Sequence, residues 1–156
     1  MRNQKSIKEI ESGVSEALCD LGFKKKGKSW YRVTDETVQV TNLQRSQWGE
    51  QYYLNLGILI RALDDTRSPR PSKCHLVARL AMLDSGRDPS DFVIDLEKPE
   101  PQKKLKRTLQ ALASVGRRFL EKCATLKGIR DFLRTDPGVL VSAEAREFLM
   151  TKSASK

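Results

Sequence analysis

Residues 37–60 read T-V-Q-V-T-N-L-Q-R-S-Q-W-G-E-Q-Y-Y-L-N-L-G-I-L-I. Apolar, β-branched and aromatic residues recur through 37–47 and again through 52–61, on either side of Trp48-Gly49-Glu50. That pattern predicts two long strands of one antiparallel hairpin. In the second strand Tyr52, Leu54, Leu56, Ile58 and Ile60 share one face, while Tyr53, Asn55, Gly57, Leu59 and Arg61 share the other. The first face belongs to the core. Gly57 on the opposite side leaves room for a group to approach the backbone. Asn42 and Gln44 have the parity of Val38 and Val40, so they are expected to leave the Asn55 side unless the strand bulges near Asn42.

Upstream, Asp35 and Glu36 form a turn that joins a further strand over 30–34, giving a meander. Before it, residues 6–21 predict a helix. Ser6 and Glu9 fit a capping box, Ile7, Ile10, Val14, Leu18 and Leu21 form one apolar stripe, and Gly22 suits a left-handed C-cap. Gly22, Gly27, Lys28 and Ser29 match the phosphate-binding pattern G-x-x-x-x-G-K-[ST]. A phosphate loop needs a strand entering and a helix leaving, so that the helix N-terminus can face the phosphates. Here a helix enters and Ser-Trp-Tyr-Arg-Val-Thr leaves as a strand, so the match reads as a solvated basic connection.

Downstream, residues 62–73 are polar, carry Pro69 and Pro71, and predict an exposed, mobile loop. Residues 74–83 fit a strand, with Leu76, Ala78, Leu80 and Met82 on one face and His75, Val77 and Arg79 on the other. They also fit a helix, with His75 and Arg79 at i and i+4; both place the histidine beside the arginine, and the preceding hairpin favours a fourth strand. Residues 91–96 suggest a short extended or helical piece. Pro101 then opens a long helix whose stripe is Leu105, Leu109, Leu112, Gly116, Phe119, Cys123 and Leu126, with Gly116 at a close contact and Gly128 as cap. A short helical turn over 129–134, a tight turn at Asp136-Pro137-Gly138, a small helix over 143–150 after Ser142 and an unstructured tail over 151–156 complete the reading. The expected fold class is α+β: an antiparallel three- to four-stranded meander covered on one face by the N-terminal helix and a long C-terminal helix.

The length of 156 residues fits one domain spanning 1–156. The chain has no apolar run long enough for a membrane and no apolar signal core, so a cytoplasmic protein without a membrane partner is expected. Cys19, Cys74 and Cys123 are odd in number and scattered, with His75 the sole imidazole, which suits reduced thiols, no metal site and no cofactor. Lysine and arginine number 29 against 20 acids, a formal charge of +9 that attracts anionic partners.

The runs L-G-F-K-K-K-G-K-S-W-Y-R, N-L-Q-R-S, N-L-G-I and C-H-L-V-A-R-L, in this order over about residues 6–83, resemble a bacterial family known as a domain of unknown function, the DUF family numbered 4304. Carried over by position, the family's recurring residues are Phe23, Lys25, Gln44, Asn55, Gly57, His75 and Arg79. A tryptophan pair that the family carries after the R-L strand is missing here. The resemblance implies a fold and leaves the function open.

Two constellations carry functional weight. Gln44, Tyr53, Asn55, His75 and Arg79 offer amides, an imidazole and a guanidinium that can meet an anion or a peptide backbone. His75 is a lone imidazole with no partner set that would make a triad or a metal site, so no catalytic residue is assigned. Lys24, Lys25, Lys26, Lys28 and Arg32 form one basic stretch, and Lys103, Lys104, Lys106 and Arg107 another. Lysines in the first turn of a helix oppose its dipole, at a cost of about 0.3–1 kcal/mol each, and so hint at a partner. The expected function is non-catalytic binding of another protein through the polar sheet face, of an accessory or toxin-neutralising kind. The alternative is a nucleic-acid-associated protein that meets phosphates through residues 24–32 and 103–107.

Overall fold

The computed structural model describes residues 2–135 and 139–154. The turn expected at Asp136-Pro137-Gly138 and the last two residues of the expected tail lie outside the described residues. The rest is an α+β arrangement around one antiparallel sheet.

Helix α1 (Arg2–Leu18) ends in a single tighter turn, Cys19–Leu21, closed by Gly22 at φ 84, whose N–H bonds the Cys19 carbonyl. The helix already runs through Ser6, so the expected capping box is not its start. Its stripe of Ile10, Val14 and Leu18 is buried. Strands β1 (Lys24–Lys26) and β2 (Ser29–Val33) form a hairpin across Gly27-Lys28. Gly27 has φ 63, and Lys28 lies outside the positive region, the pattern of a type II′ turn. The basic connection is therefore an edge hairpin, and three lysines on an edge strand discourage pairing with another chain. Strands β3 (Thr37–Arg45) and β4 (Gln51–Ile60) are the long hairpin, paired without interruption from Thr37↔Ile60 to Arg45↔Tyr52. Strand β5 (Leu76–Arg79) pairs with β4, which settles the strand alternative for that segment. Besides β1, two short strands extend the sheet beyond the expected four. One is β6 (Ile94–Asp95), on the free end of β4; the other is β7 (Leu140–Val141), on β5. The order is β1-β2-β3-β4-β5-β7, with β6 beside β4.

The long helix is divided. Helix α2 (Pro101–Ala111) passes through a wide turn, Leu112–Gly116, into α3 (Arg117–Lys122); the chain then turns and resumes as α4 (Leu126–Thr135). Pro101 does stand in the first turn. Gly128 does not cap the helix: it is buried in α4, where a Cβ would overlap the Lys122 carbonyl. The last helix, α5 (Ala143–Ala154), starts with Ser142 Oγ accepting the Ala145 N–H at 3.1 Å and runs into the segment expected as an unstructured tail.

Among the described residues α1 to α5 all contribute to one core against a single sheet face, where Trp30, Leu43, Leu54, Leu56, Ile58, Leu76 and Ala78 meet Val14, Ala111, Phe119, Ile129 and Ala145. Gly116 is a close contact, with Leu80 Cδ1 3.2 Å from where its Cβ would stand. The polar residues of β3 on this face, Thr37, Gln39 and Thr41, are fully buried. Gln39 Nε2 donates to the Leu120 carbonyl at 2.7 Å and Arg32 Nη2 to the same oxygen at 3.2 Å, satisfying the C-terminal end of α3. Thr34 and Thr37 hydroxyls donate to the Ala124 carbonyl, and Glu36 Oε1 accepts the Leu126 N–H at the start of α4. The turn between β2 and β3 thus fixes where the helix breaks. Among the described residues no helix is long and apolar enough to cross a membrane.

Candidate functional site

The far face of the sheet has two halves. Val38, Val40, Leu59 and Cys74 form a second, small apolar cluster with Tyr31 and Val77. The segment from Arg61 to Cys74 lies over it. It is tied by Arg61 Nη1, which donates to the Thr34 carbonyl at 2.7 Å, by Lys26 Nζ to Ser68 Oγ at 3.4 Å, and by Cys74, whose Sγ is 2.7 Å from where a Gly57 Cβ would stand. The group that approaches Gly57 is therefore the chain's own cysteine. Burial, and after it the charge of Asp64, pushes the Cys74 thiol up to about 12, an inert packing group. The loop expected to be exposed and mobile is in part a strap.

Beyond the strap, strand pairing lines up a polar row. Lys26 is opposite Ser29, Ser29 opposite Asn42, Asn42 opposite Asn55 and Asn55 opposite Arg79. Gln44 opposite Tyr53 starts the next row. No bulge is needed, because Val38 and Val40 themselves belong to the far face, and the parity argument against Asn42 and Gln44 falls with that. The side chains are interlinked. Asn42 Nδ2 donates to Ser29 Oγ at 2.9 Å and Asn55 Nδ2 to Gln44 Oε1 at 2.7 Å. The Arg79 guanidinium carbon sits 4.0 Å from the Tyr53 ring centroid. Each amide has two N–H groups and two lone pairs, so these bonds orient the side chains and leave Asn42 Oδ1, Asn55 Oδ1 and Gln44 Nε2 for an incoming group. Ser29 was missed in the sequence. The signal that could have found it is Gly27-Lys28 as a two-residue turn, which fixes Lys26 opposite Ser29.

Four of the five expected polar residues, Gln44, Tyr53, Asn55 and Arg79, are thus together, and His75 is elsewhere. In an extended strand four residues span about 13 Å, so His75 is not beside Arg79. It is 5% exposed, its Nδ1 accepts the Ile60 N–H at 2.8 Å, and its Nε2 is 3.5 Å from Glu144 Oε1. Its role is to close the end of the β4–β5 ladder.

The first basic stretch is split by alternation. Lys25 and Lys28 turn to α1 and pair with Glu11; burial raises that carboxyl's pKa, but the two ammonium groups outweigh it and hold it below the usual carboxylate range. Lys25 also lies 5.7 Å from the Trp30 ring centroid. Lys24 and Lys26, opposite Tyr31 and Ser29, share the far face with the polar row. The second stretch is largely compensated within the chain. Lys104 and Arg107 meet Asp91 at 3.5 and 3.1 Å, and Lys103 meets Glu100 at 3.4 Å, while Lys106 is exposed. The partner hinted at by lysines at a helix start is Asp91. A cleft of about 500 Å³ beside them carries both signs of charge, from Asp95 and Glu100 to Lys98 and Lys103.

The class these features define is an α+β sheet domain with helices on one face and an ordered polar row on half of the other. A family model described as a domain of unknown function, DUF4304, matches residues 14–122, and the chain belongs to that family. The match passes Leu83, where the resemblance read from the sequence stopped, and takes in β6, α2 and α3. No curated protein and no solved structure matches the chain.

Proposed function

We propose that the protein is a non-catalytic binding protein of the bacterial cytoplasm whose working surface is the polar half of the far sheet face. The observation that carries this reading is the row Asn42, Asn55 and Arg79 with Gln44 and Tyr53, with the buried Ser29 serving as the acceptor that orients Asn42. Its side chains are oriented by each other and still have open donors and acceptors. Groups fixed before binding lose little conformational freedom on binding. Catalysis has no support here, since the one imidazole is occupied as a structural acceptor. A protein partner of the accessory or toxin-neutralising kind suits the amides, which can meet a peptide backbone. A nucleic-acid partner is favoured by a different observation, the presence of Lys24 and Lys26 on the same face.

The test is affinity capture on the immobilised protein from a lysate of its host, with bound proteins and nucleic acids both identified. Asn55→Ala and Arg79→Ala are expected to lose the dominant species, while Lys127→Ala, on the exposed side of α4, keeps it. Thermal melting should show both row variants folded. Capture indifferent to both row substitutions would remove the polar row from the function.

A further inference from the structure

We infer that the polar row takes single-stranded nucleic acid, laid across β1 to β5 with one base stacked on Arg79; this rests on the row being the working surface. The first support is sign. The row from Lys26 to Arg79 and the pair Gln44 and Tyr53 contain no carboxylate, and in the strap over the neighbouring row Asp65 is paired with Arg61 and Arg67 while Asp64 is bonded to Thr66. Asp95, one row further on, is held by Gln51 Nε2 at 3.3 Å. Four strand spacings separate Lys26 from Arg79, about 19 Å, which suits a linear polyanion touching a cation at each end. About four nucleotides is the lower end of single-strand site sizes on sheet surfaces.

The second support is shape. The Arg79 guanidinium carbon lies over the Tyr53 ring, 4.0 Å from its centroid, and Arg79 is exposed. A guanidinium plane with one side on an aromatic ring offers its other side to a base. The pair forms one wall of an open pocket of about 110 Å³ that reaches Leu80, Ser90 and Phe92. An acidic peptide would meet the charges but use neither the stack nor the pocket. A duplex keeps its bases inside, out of reach of a flat face. The amides of Asn42, Asn55 and Gln44 then meet base edges or sugar hydroxyls, which both donate and accept.

Fluorescence anisotropy with a short labelled oligouridylate, the same sequence as a duplex, and poly-glutamate as competitor tests the assignment. The single strand is expected to bind more tightly than the duplex and to resist poly-glutamate. Arg79→Ala is expected to weaken binding about ten-fold, the scale of one lost stacked base. Arg79→Lys should be nearly as weak, because lysine keeps the charge and loses the plane. Lys26→Ala should reduce the slope of log affinity against log salt by about 0.7, one phosphate contact on a single strand, with Lys127→Ala unchanged. No binding at low salt, full displacement by poly-glutamate, or an Arg79→Lys variant that binds like wild type overturns the inference. If oligonucleotides fail while a captured protein still depends on Asn55 and Arg79, the row remains the working surface and only the nucleic-acid assignment falls.

Discussion

His75 accepts a backbone N–H through Nδ1, donates its own backbone N–H to the Ile58 carbonyl, and accepts the Ser142 N–H on its carbonyl, all at 2.8–2.9 Å. One residue therefore joins β4, β5 and the start of α5. His75→Ala leaves the Ile60 N–H buried without a partner and opens a cavity, so a loss of about 2–3 kcal/mol is expected from the urea midpoint at unchanged slope. A loss below about 0.5 kcal/mol would show that water replaces the imidazole and that the residue is dispensable for the fold. In the sequence this histidine could be seen only as a polar residue near Arg79. The group it serves is fifteen positions away, and no local pattern reports it. Gln39 is a parallel case. Its polarity sits among β-branched residues, and its partner, the Leu120 carbonyl, is eighty-one positions on. Asn55 and Gly57, by contrast, were placed on the correct face, because alternation along an uninterrupted strand is local.

At the scale of elements, the apolar stripe of the long helix was legible, and the break within it was not. Cys123 and Leu126 continue the stripe across the turn, so the spacing alone gives no sign of interruption. What breaks the helix comes from outside it, in the Thr34, Thr37 and Glu36 side chains that take the Ala124 carbonyl in the turn and the first amide of α4. Gly128 is the one local mark. Since a Cβ there would overlap the Lys122 carbonyl, Gly128→Ala must spread α3 from α4, and a loss of about 3 kcal/mol or more is expected in thermal or urea melts. A near-neutral result would mean the turn is pliant. The contact of α1 with the edge hairpin makes a second, pH-dependent prediction. Glu11 is held below its unfolded value of 4.5, so its pairing with Lys28 and Lys25 stabilises the fold at neutral pH. That share is lost as pH falls from about 4.5 through the lowered folded value. Glu11→Gln is expected to cost about 0.5–1 kcal/mol at neutral pH, a surface-pair value because the lysines are partly exposed. The variant and wild type should converge in acid; a gap that persists there would assign the loss to packing.

For the whole molecule, both faces of the sheet matter, and a single sequence shows two faces poorly. Val38 and Val40 read as core residues, yet they pack with Cys74 under the strap, and the core face of the same strand carries Thr37, Gln39 and Thr41. A strand buried on both sides has no polar side for alternation to find. The α+β class, the meander and most of the polar cluster were legible all the same, since they rest on strand patterns near in sequence. The charge balance was legible as a total and not as a field. Of the formal +9, the 103–107 stretch faces Asp91 and Glu100, whereas Lys24 and Lys26 stand at the end of a polar row that carries no carboxylate. Local potential and not net charge governs attraction of a polyanion at short range. The double variant Lys24→Ala/Lys26→Ala and the double variant Lys103→Ala/Lys104→Ala remove the same charge. On a heparin column the first is expected to elute at clearly lower salt than wild type, and the second close to wild type. Equal shifts would mean that the column reads only total charge, and that the far face has no privileged potential.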